Sequence, residues 1–167
     1  MKQINKIVVK KSTKRRKTIH ARVKNGLMEV IAPANISEKQ LNKVIENFKH
    51  RFEKRKKEAL LNKESHLLKR AQELNKKYFG DKLKFKYIKY SVRQSKKYGT
   101  CCPKRQTILI NGCLKKMPQW VEDYVIIHEL AHLIHPNHSR EFWKTVRQYP
   151  KAERAIGYLM AKGVEEV

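Results

Sequence analysis

An α+β architecture is predicted from three features of this chain. Short apolar runs with hairpin punctuation precede residue 35. The stretch from Ser37 to Phe79 contains neither Gly nor Pro. An apolar, helix-length run near the C-terminal end carries the pattern H-E-x-x-H. The expected organisation is an N-terminal β subdomain over 1–35, a helical connector over 36–80, and a C-terminal α+β domain over 81–167 whose H-E-x-x-H helix lies beside a small antiparallel sheet.

Residues 4–10, 18–23 and 27–31 read as short strands, and Asn25–Gly26 between the last two is a two-residue hairpin signal. Ser37 suits a helix cap, and Leu41, Val44, Ile45, Phe48 and Phe52 recur at helical spacing. So long a stretch predicts two helices, broken near Asn62 to Ser65. Leu67, Leu68, Ala71, Leu74 and Tyr78 form the second apolar stripe, and Gly80 ends it. Residues 82–90 alternate apolar and basic and read as a half-buried strand; Thr107 to Ile110 reads as another, with a loop or hairpin tip between. Pro118 suits the first turn of the helix that follows, and Pro136 stops it soon after His135. Ser139 to Tyr149 and a segment containing Ile156, Leu159 and Met160 read as the last two helices, with Trp120, Trp143 and Met160 in packing roles.

The string HELAHLIHPNH carries the chemistry. On a helix, positions four apart differ by about 40° around the axis and about 6 Å along it. His128 and His132 therefore face one side and can reach one cation, while Glu129 can address a water beside it. That pattern implies a zinc hydrolase with two imidazole ligands and a carboxylate base. The third ligand has three candidates: His138, Glu141 and His135. Three imidazoles in line along a helix would span about 10 Å, too far to share one ion. This disfavours His135, which suits the helix end, and favours His138, just past the Pro136–Asn137 turn. The plain alternative is ordinary histidines on an apolar helix. Against it, four of the seven histidines fall within these eleven residues, and Glu129 interrupts an otherwise apolar run, where an unpaired carboxylate is costly.

Lys and Arg exceed Asp and Glu to give a formal net charge of +25 and a pI near 10.1. This admits a nucleic-acid or other polyanion surface, or a solubility bias without a partner. The cluster Lys54–Arg55–Lys56–Lys57, with Glu46, Glu53 and Glu58 nearby, reads as a solvated helix face; Lys14–Arg15–Arg16–Lys17 is the other cluster. No segment approaches the roughly 18 apolar residues of a membrane span, and the N-terminus lacks the apolar core of a signal peptide. Cys101, Cys102 and Cys113 form no disulfide framework, and their spacing is not that of a structural zinc site. A reducing cytoplasm is the expected location. The oligomeric state has no signal.

HELAHLIHPNHSREFW, with upstream YGTCCPKRQTILIN and the linking MPQWVEDYVIIHEL, resembles the YgjP-like metallopeptidase family, related to the SprT-like and WLM-type zinc peptidases. Asn111, Pro118, Asp123, Tyr124, Val125, Asn137, His138, Ser139, Phe142 and Trp143 match its pattern, and RRKTIHARVKNGLMEVIAP resembles its opening β unit. One departure is visible: the family's R-W-G-S-C is Lys97–Tyr98–Gly99–Thr100–Cys101 here. The resemblance implies a zincin-like catalytic domain with zinc on His128, His132 and His138 and catalytic Glu129. It also implies a strand edge beside the cleft that could hold an extended peptide.

The expected reaction is peptide-bond hydrolysis in a protein or peptide. Zinc-bound water, its pKa lowered to about 7, gives its proton to Glu129, which returns it to the leaving amine. Tyr98, Arg140 and Tyr149 are candidate oxyanion donors. The competing expectation is a basic nucleic-acid-associated adaptor with a structural or vestigial zinc site, or a protease recruited to DNA-bound proteins. Glu129 argues against the adaptor, because a structural site needs no base.

Overall fold

Asn25 and Gly26 both take positive φ, 52° and 83°, so the chain reverses tightly between β2 (His20–Lys24) and β3 (Leu27–Pro33). This hairpin begins the first of two units in the computed structural model, which describes residues 4–94 and 96–163. β1 (Lys6–Ser12) adds to the far side of β3, giving the order β1-β3-β2, with β1 parallel and β2 antiparallel to β3. Met28, Val30 and Ala32 alternate onto one face of β3, as period-two geometry requires. There they form a small core with Leu41 and Ile45 of α1 (Glu38–Leu61). Residues up to Lys57 make up this unit, and those from Glu58 onward the second.

α1 ends at Leu61 and α2 (His66–Phe79) follows after the break. Gly80 closes α2 at φ 61°, its amide donating to the Asn75 carbonyl. The strand expected over 82–90 is shorter: ladder pairing covers only β4, Tyr87–Ser91. Leu83 is held instead by Asn75 of α2, whose side-chain nitrogen donates to the Leu83 carbonyl at 2.9 Å and whose oxygen accepts from the Leu83 amide at 3.3 Å. Gly99–Cys102, expected within a loop, is strand β5. It pairs antiparallel with β6 (Thr107–Asn111) through a 3-10 turn at Pro103–Arg105.

The second sheet has order β4-β6-β5 with β4 parallel to β6. It is therefore mixed, not antiparallel as expected. β6 inserts between the two strands that precede it, so β4 and β5 cannot pair as a meander. Both units thus use one three-strand topology.

α3 (Gln119–Ala131) is buried along its whole last three turns, from Val121 to Ala131. The regular helix ends earlier than Pro136 requires: α3 stops at Ala131 with His132 as its cap, and turns continue to His135, whose amide donates to the Ala131 carbonyl at 2.9 Å. α4 (Arg140–Val146) and α5 (Ala152–Ala161) complete the unit. Its core includes Ile108 and Ile110 of β6, Leu74 of α2, and Val121, Ile127 and Leu130 of α3. No helix of the described residues is long and apolar enough to cross a membrane.

Candidate metal centre

α3 carries His128 and Glu129, and its cap residue His132 retains α-helical backbone angles (φ −65°, ψ −15°), so the four-residue spacing stays on one face. The chain turns through Pro136 and re-enters at α4. Ser139 caps α4 by accepting a hydrogen bond from the Phe142 amide at 3.3 Å. His138, immediately before that cap, points back to α3. Its Nε2 lies 3.1 Å from Nε2 of His128 and 3.1 Å from Nε2 of His132. The three ligand atoms fall within 4.8 Å of one another, and no other group of three or more His, Cys, Asp or Glu among the described residues could hold a metal ion.

Hydrogen bonding alone does not account for this convergence. One imidazole nitrogen is either donor or acceptor, so His138 Nε2 cannot serve two ring nitrogens at once. A shared cation satisfies all three. Nitrogens 2.0–2.1 Å from a tetrahedral ion stand about 3.3–3.4 Å apart, close to the separations here. His132 Nδ1 is 3.1 Å from the His135 carbonyl, which suits an Nδ1–H donor and leaves Nε2 free to ligate. Burial holds the His128 ring neutral, its pKa pushed down to about 3, with the neighbouring rings adding. His132 is shifted the same way, chiefly by burial. His135 turns elsewhere, its Nε2 3.3 Å from Thr145 Oγ1. Glu141 is exposed on the first turn of α4.

Phe142 is fully buried beneath all three imidazoles, with ring centroids at 4.8, 4.6 and 4.7 Å from His128, His132 and His138. Trp143 flanks His138 at 5.6 Å. Sequence reasoning gave Trp143 a packing role and matched Phe142 to a family pattern, but missed their contact with the imidazoles. Their position four and five residues after His138, on the helix that His138 introduces, is the signal that was present.

A cleft of about 470 Å³ opens over the site. Its opposite wall is β5 and the residues before it, with Lys97, Gly99 and Cys101 lining it. Glu129 is 4% exposed, and its Oε2 has no hydrogen-bond partner. Burial pushes its carboxyl up to about 8, while the charge of Lys97 opposes the rise. A Cβ on Gly99 would sit 2.7 Å from both Cγ and Cδ of Glu129, so the backbone of β5 approaches the carboxylate only because position 99 has no side chain. Asn111 holds the preceding loop, its side-chain nitrogen donating to the carbonyls of Gln94 and Lys97 at 3.0 Å each.

Two of the candidate oxyanion donors are engaged elsewhere. Tyr98 donates to the Leu159 carbonyl at 3.3 Å and Tyr149 to the Trp120 carbonyl at 3.1 Å. Arg140 is exposed at the start of α4. All three cysteines are free, and burial raises the Cys101 thiol to about 12, which keeps it un-ionised.

No curated protein matches the chain. Among solved structures, the crystal structure of the metallopeptidase zymogen of Pyrococcus abyssi abylysin is similar in fold. Its TM-score is 0.51 at 22% identity, over 58% of this chain and 94% of that one. The family model described as YgjP-like, metallopeptidase domain matches residues 53–159. Those residues hold α2 to β6, the whole H-E-x-x-H helix and the return of His138, and on that match the chain belongs to the YgjP-like metallopeptidase family.

Proposed function

We propose that this chain is a zinc-dependent peptidase of zincin type, with His128, His132 and His138 as metal ligands and Glu129 as general base. One observation carries the reading: three imidazole nitrogens converge beside a buried carboxylate that has an unpartnered oxygen. The donor set, three neutral nitrogens without thiolate, suits zinc. Zinc, when bound, supplies Lewis acidity toward the scissile carbonyl.

The chain's own groups do the rest. Glu129, buried at the base of the cleft, takes the proton of the attacking water and delivers it to the leaving amine. Burial raises its pKa above that of a free carboxylate, which makes the ionised form a stronger base. β5 is an edge strand, since the order β4-β6-β5 leaves one side of it unpaired. That side can take up an extended segment of a protein or peptide substrate by backbone hydrogen bonding.

Elemental analysis and a proteome-wide cleavage assay test the reading together. Purified protein is expected to carry about one zinc per chain. Glu129→Gln is expected to keep the metal and lose cleavage by roughly a thousandfold. Full turnover by that variant would remove Glu129 from its role.

A further inference from the structure

Positive charge is not shared evenly between the units. Residues up to Lys57 carry 18 Lys and Arg against four Asp and Glu, a net +14, while the longer remainder carries 22 against 11, a net +11. In the first unit, α1 and β2 frame a groove of about 460 Å³, within the size range of ligand sites. Phe48, Arg51, Phe52 and Arg55 lie at i, i+3, i+4 and i+7 of α1, so rings and cations alternate along one stripe. Val23 of β2 and Met28 of β3 line the floor, while the Arg22 side chain lies on the other face of the sheet with Glu29.

Among the described residues, no carboxylate lines this groove. Glu29, beside it in the sheet, is already paired with Lys10 at 2.6 Å and with Arg22 at 2.9 Å. The Arg51 guanidinium stands over the Phe48 ring at 4.5 Å. Phe48 packs on the core of its unit, but Phe52 is half-buried and joins neither core cluster. A half-buried aromatic ring between two arginines offers a surface to a planar, anionic partner. Arg55, exposed within the Lys54–Lys57 cluster, lines this groove.

We propose that this groove binds single-stranded nucleic acid, the arginines taking backbone phosphates and Phe52 stacking on a base. Guanidinium forks match phosphate oxygens, and stacking on an aromatic ring accepts any base. A duplex hides its base faces. An anionic membrane requires apolar side chains that protrude, and these are recessed. An acidic peptide would satisfy the arginines and leave the rings unused. The inference does not rest on the peptidase reading.

Fluorescence anisotropy of the full chain with a fluorescein-labelled oligothymidylate tests it, with a duplex of equal length and phosphatidylglycerol vesicles as the competing probes. The single strand is expected to bind most tightly, and chelator is expected to leave its affinity unchanged. Phe52→Ala is expected to weaken it about tenfold with the salt dependence retained. Arg51→Glu with Arg55→Glu is expected to flatten the slope of log affinity against log salt by about 1.4. Lys84→Glu with Lys86→Glu, an equal charge change in the other unit, is expected to cost about twofold or less. Circular dichroism on each variant confirms folding, and Phe52→Leu replaces Phe52→Ala should the latter unfold. Equal affinity for duplex and single strand with Phe52→Ala unaffected would reduce the groove to general polyanion attraction and overturn the proposal. So would vesicle binding in the absence of oligonucleotide binding.

Discussion

Glu129 is a carboxylate in a place where carboxylates are costly, and Gly99 is what gives it room. Leaving a buried charge without partners is unfavourable, so burial drives this group toward its protonated form, with Lys97 as a counterweight. The backbone of β5 comes within van der Waals reach because residue 99 lacks a Cβ. Gly99→Ala therefore forces the carboxylate aside without touching the three imidazoles. The expected outcome is retained metal stoichiometry with a loss of cleavage on the order of a hundredfold, since an ångström of misplacement at a reacting group costs about that much. Metal analysis and steady-state kinetics on the same preparation check it, and a fully active alanine variant would show that the position of Glu129 is not critical.

Among elements, α3 has to be held rigid, because two of the converging rings and the carboxylate ride on it. Arg70 of α2 grips Asp123 of α3 through two hydrogen bonds of 2.6 and 2.7 Å. Tyr90 of β4 donates to Glu122 at 2.6 Å, a contact that together with burial holds the phenol protonated. The Asp123 side chain is 6% exposed and Arg70 31%. Arg70→Met would strand a buried carboxylate, for a cost of about 2–3 kcal/mol, less than a fully buried pair because the guanidinium is partly solvated. Thermal melting should fall by roughly 5 °C or more, and an unchanged midpoint would show that the pair contributes nothing net. α4 has a different weak point. Ser139→Ala removes the cap that accepts from Phe142, costing about 1 kcal/mol. His138 directly precedes that cap, so zinc affinity by competition titration is expected to drop as well. Stability loss with unaltered affinity would uncouple the cap from the site.

For the molecule as a whole, the proposed metal links ligand binding to folding. An ion that binds only the folded state stabilises it by about 4 kcal/mol at a thousandfold excess over its dissociation constant. Trp120 and Trp143 both lie in the unit from Glu58 onward, and Trp143 flanks His138 at 5.6 Å. Tryptophan fluorescence therefore reports that unit alone. Chelation is expected to lower its melting temperature by roughly 10 °C, restored by added zinc. Identical melting with and without chelator would argue that the histidine cluster binds no ion strongly. Charge also divides at this scale, with the shorter unit carrying the larger net positive value. That is a statement about partners and solubility and not about the fold.

Local chemistry alone determined a good deal. Asn25–Gly26 turns the first hairpin because those residue types tolerate positive φ. Gly80 ends α2 for the same reason. The four-residue interval between His128 and His132 sets both rings on one face of any helix. β5 escaped detection because Gly-Thr-Cys-Cys has no apolar alternation; it is a strand only because β6 lies alongside to pair with it. Leu83 alternates like a strand residue, yet Asn75 of α2 takes its backbone groups. The parallel pairing of β4 with β6 and the fit of Gly99 against Glu129 are likewise settled by elements far apart along the chain. Spacing along a chain dictates what neighbouring residues share, but only packing decides which distant backbone has space to approach.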